Sequence, residues 1–533
     1  MYNDLMSRNV ILSLQTKELL KTYLAESPLR RPDLTGGNDK TLSSALLYEK
    51  IRVALEYQEE HLVFKNAIAR ILRRKYTLTP GISADHLLAD LINELSWANY
   101  LNPEAIPAVE TQKLRLIILK YLKLLESARS KHLQKLDLEK TIIDLAACEV
   151  SAALNPVQNP DLLIDYAFQV LEPNLRRDGS HVNEKENAIQ LKLAIYTLLY
   201  KPDIALIHYW ILQKLYPDWH ELSEVHIREF GHEFDSRFYK IQSTLHHPLR
   251  KKYFQYVRRN IPPFILLKNI LLDKSLKYDT ITQNPNLLGR LAANQYDSLA
   301  EDATSKVWRG TIRALIFILI TKISLAFLLE APYDFYVRGK IDLLPLVINI
   351  LLPPALMLLA GVFIKSPSTK NREAVSRAFG NIIIFNHVDN RTFYLAEIAG
   401  NFLNSFFNFL YIILTLSIVG SVVWVLFRLD FNVLSVILFF IFVSAISFFS
   451  FRIRNIALEL AMVQARDDLV TSTIEFLFLP FIRMGKFISE LFARSNPLIL
   501  TLDFLIEAPL KTILKISNRW LKFVRAKKEE IEY

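Results

Sequence analysis

Cysteine and glycine are scarce in this chain. A single cysteine, Cys148, occurs among 533 residues, so an intrachain disulfide is excluded. Glycine occupies 13 positions, and Asp178-Gly179 is the exception to a near absence of hairpin-type turn pairs. Extended stretches of alternating polar and apolar residues are also rare, which favours an all-α fold. We interpret Cys148 as a small buried hydrophobe, because its neighbours at 142–150 are apolar and no base is nearby in sequence.

Several functional motifs are also missing. The sequence has no Walker-type phosphate loop and no nucleophile elbow, so neither ATP-driven transport by this chain alone nor serine hydrolase chemistry is predicted. The first residues lack the basic start and apolar core of a signal peptide. We therefore expect the segment before the first apolar stretch to stay on the side of synthesis.

Long apolar runs, in contrast, are abundant between residues 311 and 449. Each is long enough to cross about 30 Å of hydrocarbon as a helix, which predicts a multi-pass membrane protein. The predicted spans are 311–329, 343–364, 402–427 and 433–449. The predicted domains are a cytoplasmic α-helical domain at 1–300 with an internal boundary near 176–186, a four-helix transmembrane domain at 308–452, and a membrane-interfacial basic amphipathic tail at 453–533.

Basic residues near the spans are distributed asymmetrically. Eleven lie before the first span, between the second and third, or after the fourth, whereas three lie in the other two connections. Lys and Arg are enriched on the cytoplasmic side of membrane proteins. The pattern predicts an inner- or plasma-membrane protein with both termini in the cytoplasm.

Polar residues inside the spans are the first candidate site. Lys322 lies near the centre of the first span, where a charge costs roughly 2.5–3.5 kcal/mol. No acid lies within the predicted span limits, so we expect Lys322 to snorkel or to bond to a residue such as Asn349 or Asn408. Replacing it with leucine is then expected to be neutral or stabilising. The third span also carries a polar seam that includes Asn404, Asn408 and Thr415.

Two interpretations of these intramembrane residues are open. Interhelical hydrogen bonds are the simpler one, and they fit a protein with one central charge. A substrate path is the alternative, because Pro353-Pro354 is expected to bend or break the helix that carries Asn349.

A titratable cluster in the soluble part is the second candidate. Glu229 and His232 have the Glu-x-x-His spacing of dimetal carboxylate sites. No second such motif lies in a convincing helix, so we predict a charged exposed helix and no metal or other cofactor.

Two basic clusters are candidates for binding lipid headgroups or a partner. Excess positive charge is ordinary on a cytoplasmic face, so nucleic acid is not the expected partner. A basic amphipathic helix beside a bilayer is attracted to an anionic leaflet. The residues are Arg250, Lys251, Lys252, Arg258 and Arg259 in the first cluster, and Lys511, Lys515, Arg519, Lys522 and Arg525 in the tail.

The sequence as a whole predicts a non-enzymatic, membrane-anchored scaffold or interaction protein. Its expected partners are anionic lipids and a protein that docks on the cytoplasmic domain, and a homo-oligomer is compatible with the sequence. The alternative is a transporter or channel subunit, and a membrane-bound metalloenzyme is a distant third.

Overall fold

The structure, a computed structural model, forms two compact units. The first comprises Met1–Ala293 with Val375–Glu397, and the second comprises Asn294–Ala374 with Ile398–Tyr533. The residues described are 12–25, 60–79, 81–98, 100–102, 106–130, 136–154, 160–177, 184–221, 224–273, 276, 278–284, 286–339, 343–364, 369–388, 393–395, 401–462, 469–494 and 520.

The described part of the first unit is almost entirely helical, as predicted. Short 3-10 turns at Glu172–Asn174 and Pro217–Glu221 join some of its helices. The helices that lie wholly before residue 286 are α1 (Leu14–Ala25), α2 (Glu60–Leu78), α3 (Ala84–Trp97), α4 (Ala108–Ser130), α5 (Leu136–Leu154), α6 (Pro160–Leu171), α7 (Glu184–Tyr200), α8 (Ile204–Leu215), α9 (Glu224–His232), α10 (Phe234–Leu245), α11 (Arg250–Asn260), α12 (Pro262–Leu271) and α13 (Tyr278–Gln283).

The apolar region 187–216 forms a buried helical pair. Asp203 caps the start of α8 by accepting a hydrogen bond from the backbone N–H of Leu206 at 3.0 Å. Ile195 and Ile211 are completely buried, one on each helix. The charges and Pro202 that separate the two apolar pieces therefore mark a turn between two buried helices of the first unit.

Part of the segment between the second and third predicted spans, Val375–Glu397, belongs to the first unit. Strand β1 (Leu175–Arg177) pairs in parallel with strand β2 (Phe393–Leu395). The hydroxyl of Tyr166 donates to the carbonyl of Ile382 at 3.2 Å. The backbone N–H of Ser13 donates to the carbonyl of Ile383 at 3.0 Å. These residues are thus an integral part of the first unit, which the sequence alone does not predict.

Among the described residues, four helices are long and apolar enough to cross a membrane, as predicted. The first continues without a break through Asn286–Val337 and includes a π-helical turn at Ala326–Glu330. Pro353 and Pro354 lie inside one continuous helix, so of the expected bend or break in the second span, a break is excluded. The elements are α14 (Asn286–Leu325), α15 (Ala331–Arg338), α16 (Leu343–Phe363), α17 (Thr369–Phe385), α18 (Asn401–Arg428), α19 (Val433–Ala457) and α20 (Leu469–Arg494).

Packing within the second unit is uneven. Ile318, Met357, Phe442 and Ile446, contributed by α14, α16 and α19, are buried in one apolar cluster. Half of the apolar window in α19 is buried, compared with 6% of the window in α18. The fourth span is therefore far more buried within this unit than the third.

Helix α20 packs along α19. A Cβ atom at Gly485 would collide with the backbone carbonyl of Ser444, so only glycine fits this approach. The rings of Phe440 and Phe481 stack with centroids 6.0 Å apart. These contacts reach the middle of the fourth span and favour a position beside that span over the predicted interfacial one. The basic tail helix predicted at 509–528 lies outside the described residues, apart from Trp520.

Candidate intramembrane polar site

Lys322 and Glu330 form a completely buried ion pair. The Lys322 Nζ lies 2.7 Å from Glu330 Oε1, and both side chains are 0% exposed. A regular helix would turn residue 330 roughly 80° away from residue 322. The π-helical turn has more residues per turn and reduces that offset. The π turn thus brings the two charges onto one face of the first span.

Glu330 also joins the first span to the second and the fourth. Asn349 Nδ2 donates to Glu330 Oε2 at 2.8 Å, and Ser435 Oγ donates to the same oxygen at 3.2 Å. The Lys322 ammonium lies 5.0 Å from the ring centroid of Phe442, where cation–π attraction adds to the pairing. Three spans therefore converge on one carboxylate.

A second acid extends the polar contacts toward the 331–342 connection. Asn432 Nδ2 donates to Asp334 Oδ1 at 2.6 Å, and Asp334 is 3% exposed. The side chain of Asn432 also caps α19 by accepting from the N–H of Ser435 at 2.6 Å. We call Lys322, Glu330, Asp334, Asn349, Asn432 and Ser435 the polar cluster.

One atom of the polar cluster has unused hydrogen-bonding capacity. The Oδ1 of Asn349 is buried and has no hydrogen-bond partner among the described residues. A buried polar atom left unpaired costs roughly 1–3 kcal/mol. Such an atom is a natural acceptor for a water molecule, a protonated group or a cation that enters the site.

The sequence-based reading of the spans was partly wrong. It found no acid inside the spans, yet Glu330 follows the predicted limit at residue 329 directly and pairs with Lys322. Asn349 does lie beside the pair, as expected, but it bonds to Glu330. Asn408 is exposed on α18, and Thr415 Oγ1 is buried without a hydrogen-bond partner in the part of the chain that the structure describes. The side chain of Asn404 lies outside the described residues.

The titratable cluster of the first unit does not assemble into a metal site within the described part of the chain. Glu229 and His232 are both exposed on α9. Among the described residues, no group of three or more His, Cys, Asp or Glu side chains is placed to hold a metal ion. His220, from the same stretch of sequence, instead contacts Glu149 with its Nδ1 at 3.3 Å.

Glu149 is the centre of a buried polar group that the sequence did not reveal. It accepts hydrogen bonds from Lys120 Nζ at 2.6 Å, the Tyr121 hydroxyl at 2.7 Å and Trp219 Nε1 at 2.9 Å. Burial alone would raise the pKa of Glu149, but the hydrogen bond from His220 and the charge of Lys120 outweigh it and lower the pKa to about 2. The Glu149 carboxylate thus stays ionised although it is buried.

An open groove lies directly above this buried carboxylate. Its volume is about 720 Å³, within the range of small-molecule sites. Lys113, Leu116 and Lys123 of α4 line one wall, and Glu224 and Ile227 of α9 line the other. Cys148 does not contribute chemistry here, since burial raises its thiol pKa far above the ordinary value.

The basic cluster of the first unit lies on α11. Lys251, Arg258 and Arg259 are exposed, and Lys252 is half-buried. Arg250 is partly buried and donates to the carbonyl of Leu245 at 2.7 Å. The basic residues of the tail, from Lys511 to Arg525, lie in the part of the chain that the structure does not describe.

Comparisons with known proteins found no matching protein-family model, no matching curated protein and no matching solved structure.

Proposed function

We propose that the transmembrane unit is a proton-coupled transporter subunit in which Glu330 alternates between pairing with Lys322 and holding a proton. The buried Lys322–Glu330 pair carries this proposal. Charges are expensive at this depth and typically mark ion pathways or proton relays. The sequence favoured a scaffold because Lys322 appeared to lack an acidic partner, and that reason no longer applies.

The rest of the bundle is compatible with a closed state of such a subunit. Polar side chains run from Glu330 to Asp334, toward one end of the first span. In the other direction, Ile318, Met357 and Ile446 form a buried apolar plug. A site that is polar on one side and dry on the other suits alternating access, in which the plug opens only after the first side closes.

The proposed orientation places both termini and the soluble unit in the cytoplasm. Residues before the first span and Val375–Glu397 belong to one compact unit, which supports a common side for them. Two crossings separate these segments, as a common side requires. In a Cys148→Ser background, a cysteine at Gly339 should react with an impermeant reagent added to intact cells, and one at Ser368 should not. The reverse labelling would contradict this orientation.

Proton flux into liposomes tests the transport proposal. The reconstituted protein should acidify or alkalinise the lumen under a potassium-diffusion potential, as measured with an enclosed pH-sensitive dye. We expect Glu330→Gln to lower the rate at least tenfold, because the amide cannot exchange a proton. Glu301→Gln makes the same change at an exposed position and should leave the rate unchanged. Equal flux in Glu330→Gln and the wild type would contradict the proposal.

A second candidate is the membrane-anchored interaction protein. The groove between α4 and α9 supports it, because a soluble partner or ligand has a formed site there. A photoreactive residue at Leu116, which is 55% exposed, should then give one crosslinked product in cells. A photoreactive residue at Leu14, which is 77% exposed, is the control and should not yield that product. Identical products at both positions, or none at Leu116, would count against this role.

A further inference from the structure

Helix α11 has an exposed basic face. Its buried side holds Tyr253, Tyr256 and Val257. The exposed residues Lys251, Arg258 and Arg259 recur at helical spacing on the other side, and the helix contains no acid. The helix is therefore amphipathic, with tyrosine rings on its buried face and cations on its exposed face.

Contacts within the first unit attach α11 to the segment that leads into the third span. The rings of Tyr256 and Phe393 are 5.2 Å apart. Phe393 begins strand β2, which ends at Leu395, and α18 begins at Asn401. Five residues separate the two elements, so the end of β2 and the start of α18 lie at most about 20 Å apart along the extended chain. The covalent chain thus limits how far β2 can lie from the start of the third span.

Strand β1 adds a further cation beside β2. Arg176 is exposed and pairs through its backbone with Tyr394. The positive residues of α11 and β1 are therefore anchored to the same short strand. Cytoplasmic leaflets carry anionic lipids, and clusters of Lys and Arg near them are drawn to the surface.

We propose that the exposed basic face of α11, together with Arg176, binds the headgroups of anionic phospholipids. This inference rests on the proposed orientation of the soluble unit and is independent of proton transport. Its function would be to hold the soluble unit against the bilayer, so that the segment leading into the third span keeps a fixed position.

Headgroup quenching in nanodiscs tests this surface in the full chain. A single cysteine replaces Gln255, an exposed residue of α11, in the Cys148→Ser background and carries a fluorophore. The discs contain a nitroxide-labelled headgroup lipid in either neutral phosphatidylcholine or a mixture with 30% phosphatidylglycerol. We expect at least twofold stronger quenching in the anionic discs. That difference should fall at 0.5 M salt, because salt screens the attraction.

Matched charge variants identify the basic residues that cause the stronger quenching in anionic discs. Lys251→Gln/Arg258→Gln/Arg259→Gln should remove the difference between anionic and neutral discs. The control Lys21→Gln/Lys113→Gln/Lys240→Gln removes three exposed charges elsewhere and should preserve it.

Three results would overturn the proposal. These are equal quenching in both disc types, a difference that the α11 variant retains, and a difference that the control variant abolishes to the same extent. A short RNA that binds the wild type in neutral discs but not the α11 variant, without any lipid effect, would assign the face to nucleic acid instead. Cysteine labelling at Gly339 and Ser368 separates a wrong orientation from a wrong lipid contact.

Discussion

Lys322→Leu is the substitution for which the structure reverses the sequence-based expectation. Without an acidic partner, losing a mid-membrane charge is favourable, since leucine inserts at roughly −0.5 kcal/mol. In the structure, the change leaves Glu330 fully buried with hydrogen bonds from Asn349 and Ser435 but without a counter-charge. Removing one partner of a buried ion pair typically costs 3–5 kcal/mol. We therefore expect destabilisation of about 3 kcal/mol after the gain from leucine.

The double variant Lys322→Leu/Glu330→Leu provides the internal control. Replacing a whole buried ion pair with apolar residues of similar volume is often neutral or stabilising. Its unfolding free energy should therefore lie close to that of the wild type. Glu330→Leu leaves Lys322 buried without its counter-charge and should cost about as much as Lys322→Leu. The expected coupling between the two positions is then roughly 6 kcal/mol, well above the ~0.6 kcal/mol average of membrane hydrogen bonds.

Thermal unfolding in detergent, followed by intrinsic tryptophan fluorescence, measures these differences. For a unit of 150–250 residues, 1 kcal/mol shifts Tm by about 2–4 °C. Lys322→Leu should then lower Tm by roughly 6–12 °C, and the double variant should recover most of the loss. An unchanged or raised Tm in the single variant would show that the ion pair between Lys322 and Glu330 does not stabilise the fold.

Three further outcomes follow from the structure. Burial lowers the pKa of His208 from 6.5 to about 4. The stability linked to this shift is fully present above pH 6.5 and is lost as the pH falls toward 4. Wild-type stability should therefore fall by about 3 kcal/mol across that window, and His208→Gln should flatten the fall in a pH series of melting curves. Glu149→Gln leaves Lys120 buried without its counter-charge and should cost about 3–5 kcal/mol in denaturant unfolding, whereas Glu149→Gln/Lys120→Met should recover much of that loss. Gly485→Ala should lower Tm because its Cβ meets the backbone of the fourth span, whereas Gly420→Ala, with open space around the Cβ, should not.

The spans were predictable because their signal is local. An apolar window of about 20 residues is read from composition alone. The helix Asn401–Arg428 matches the predicted span 402–427 to within one residue at each end, and Val433–Ala457 begins where predicted but continues eight residues beyond 449. The parallel pairing of Leu175–Arg177 with Phe393–Leu395 was not predictable in this way. It joins two three-residue strands that lie more than 200 residues apart, and neither strand has an alternating pattern long enough to identify.

The pairing of Glu330 with Lys322 was not predictable from the sequence for a geometric reason. It follows the apolar window of the first span directly, and regular helical spacing places it on a different face from Lys322. Pro332 lies two residues later; it cannot donate a backbone hydrogen bond and clashes with the carbonyl four residues before it. The wider π turn at Ala326–Glu330 accommodates both the missing backbone hydrogen bond and the clash. An acid shortly before a proline at the end of a span is therefore the one signal in the sequence that could have indicated the pair, because the proline changes which helical positions share a face.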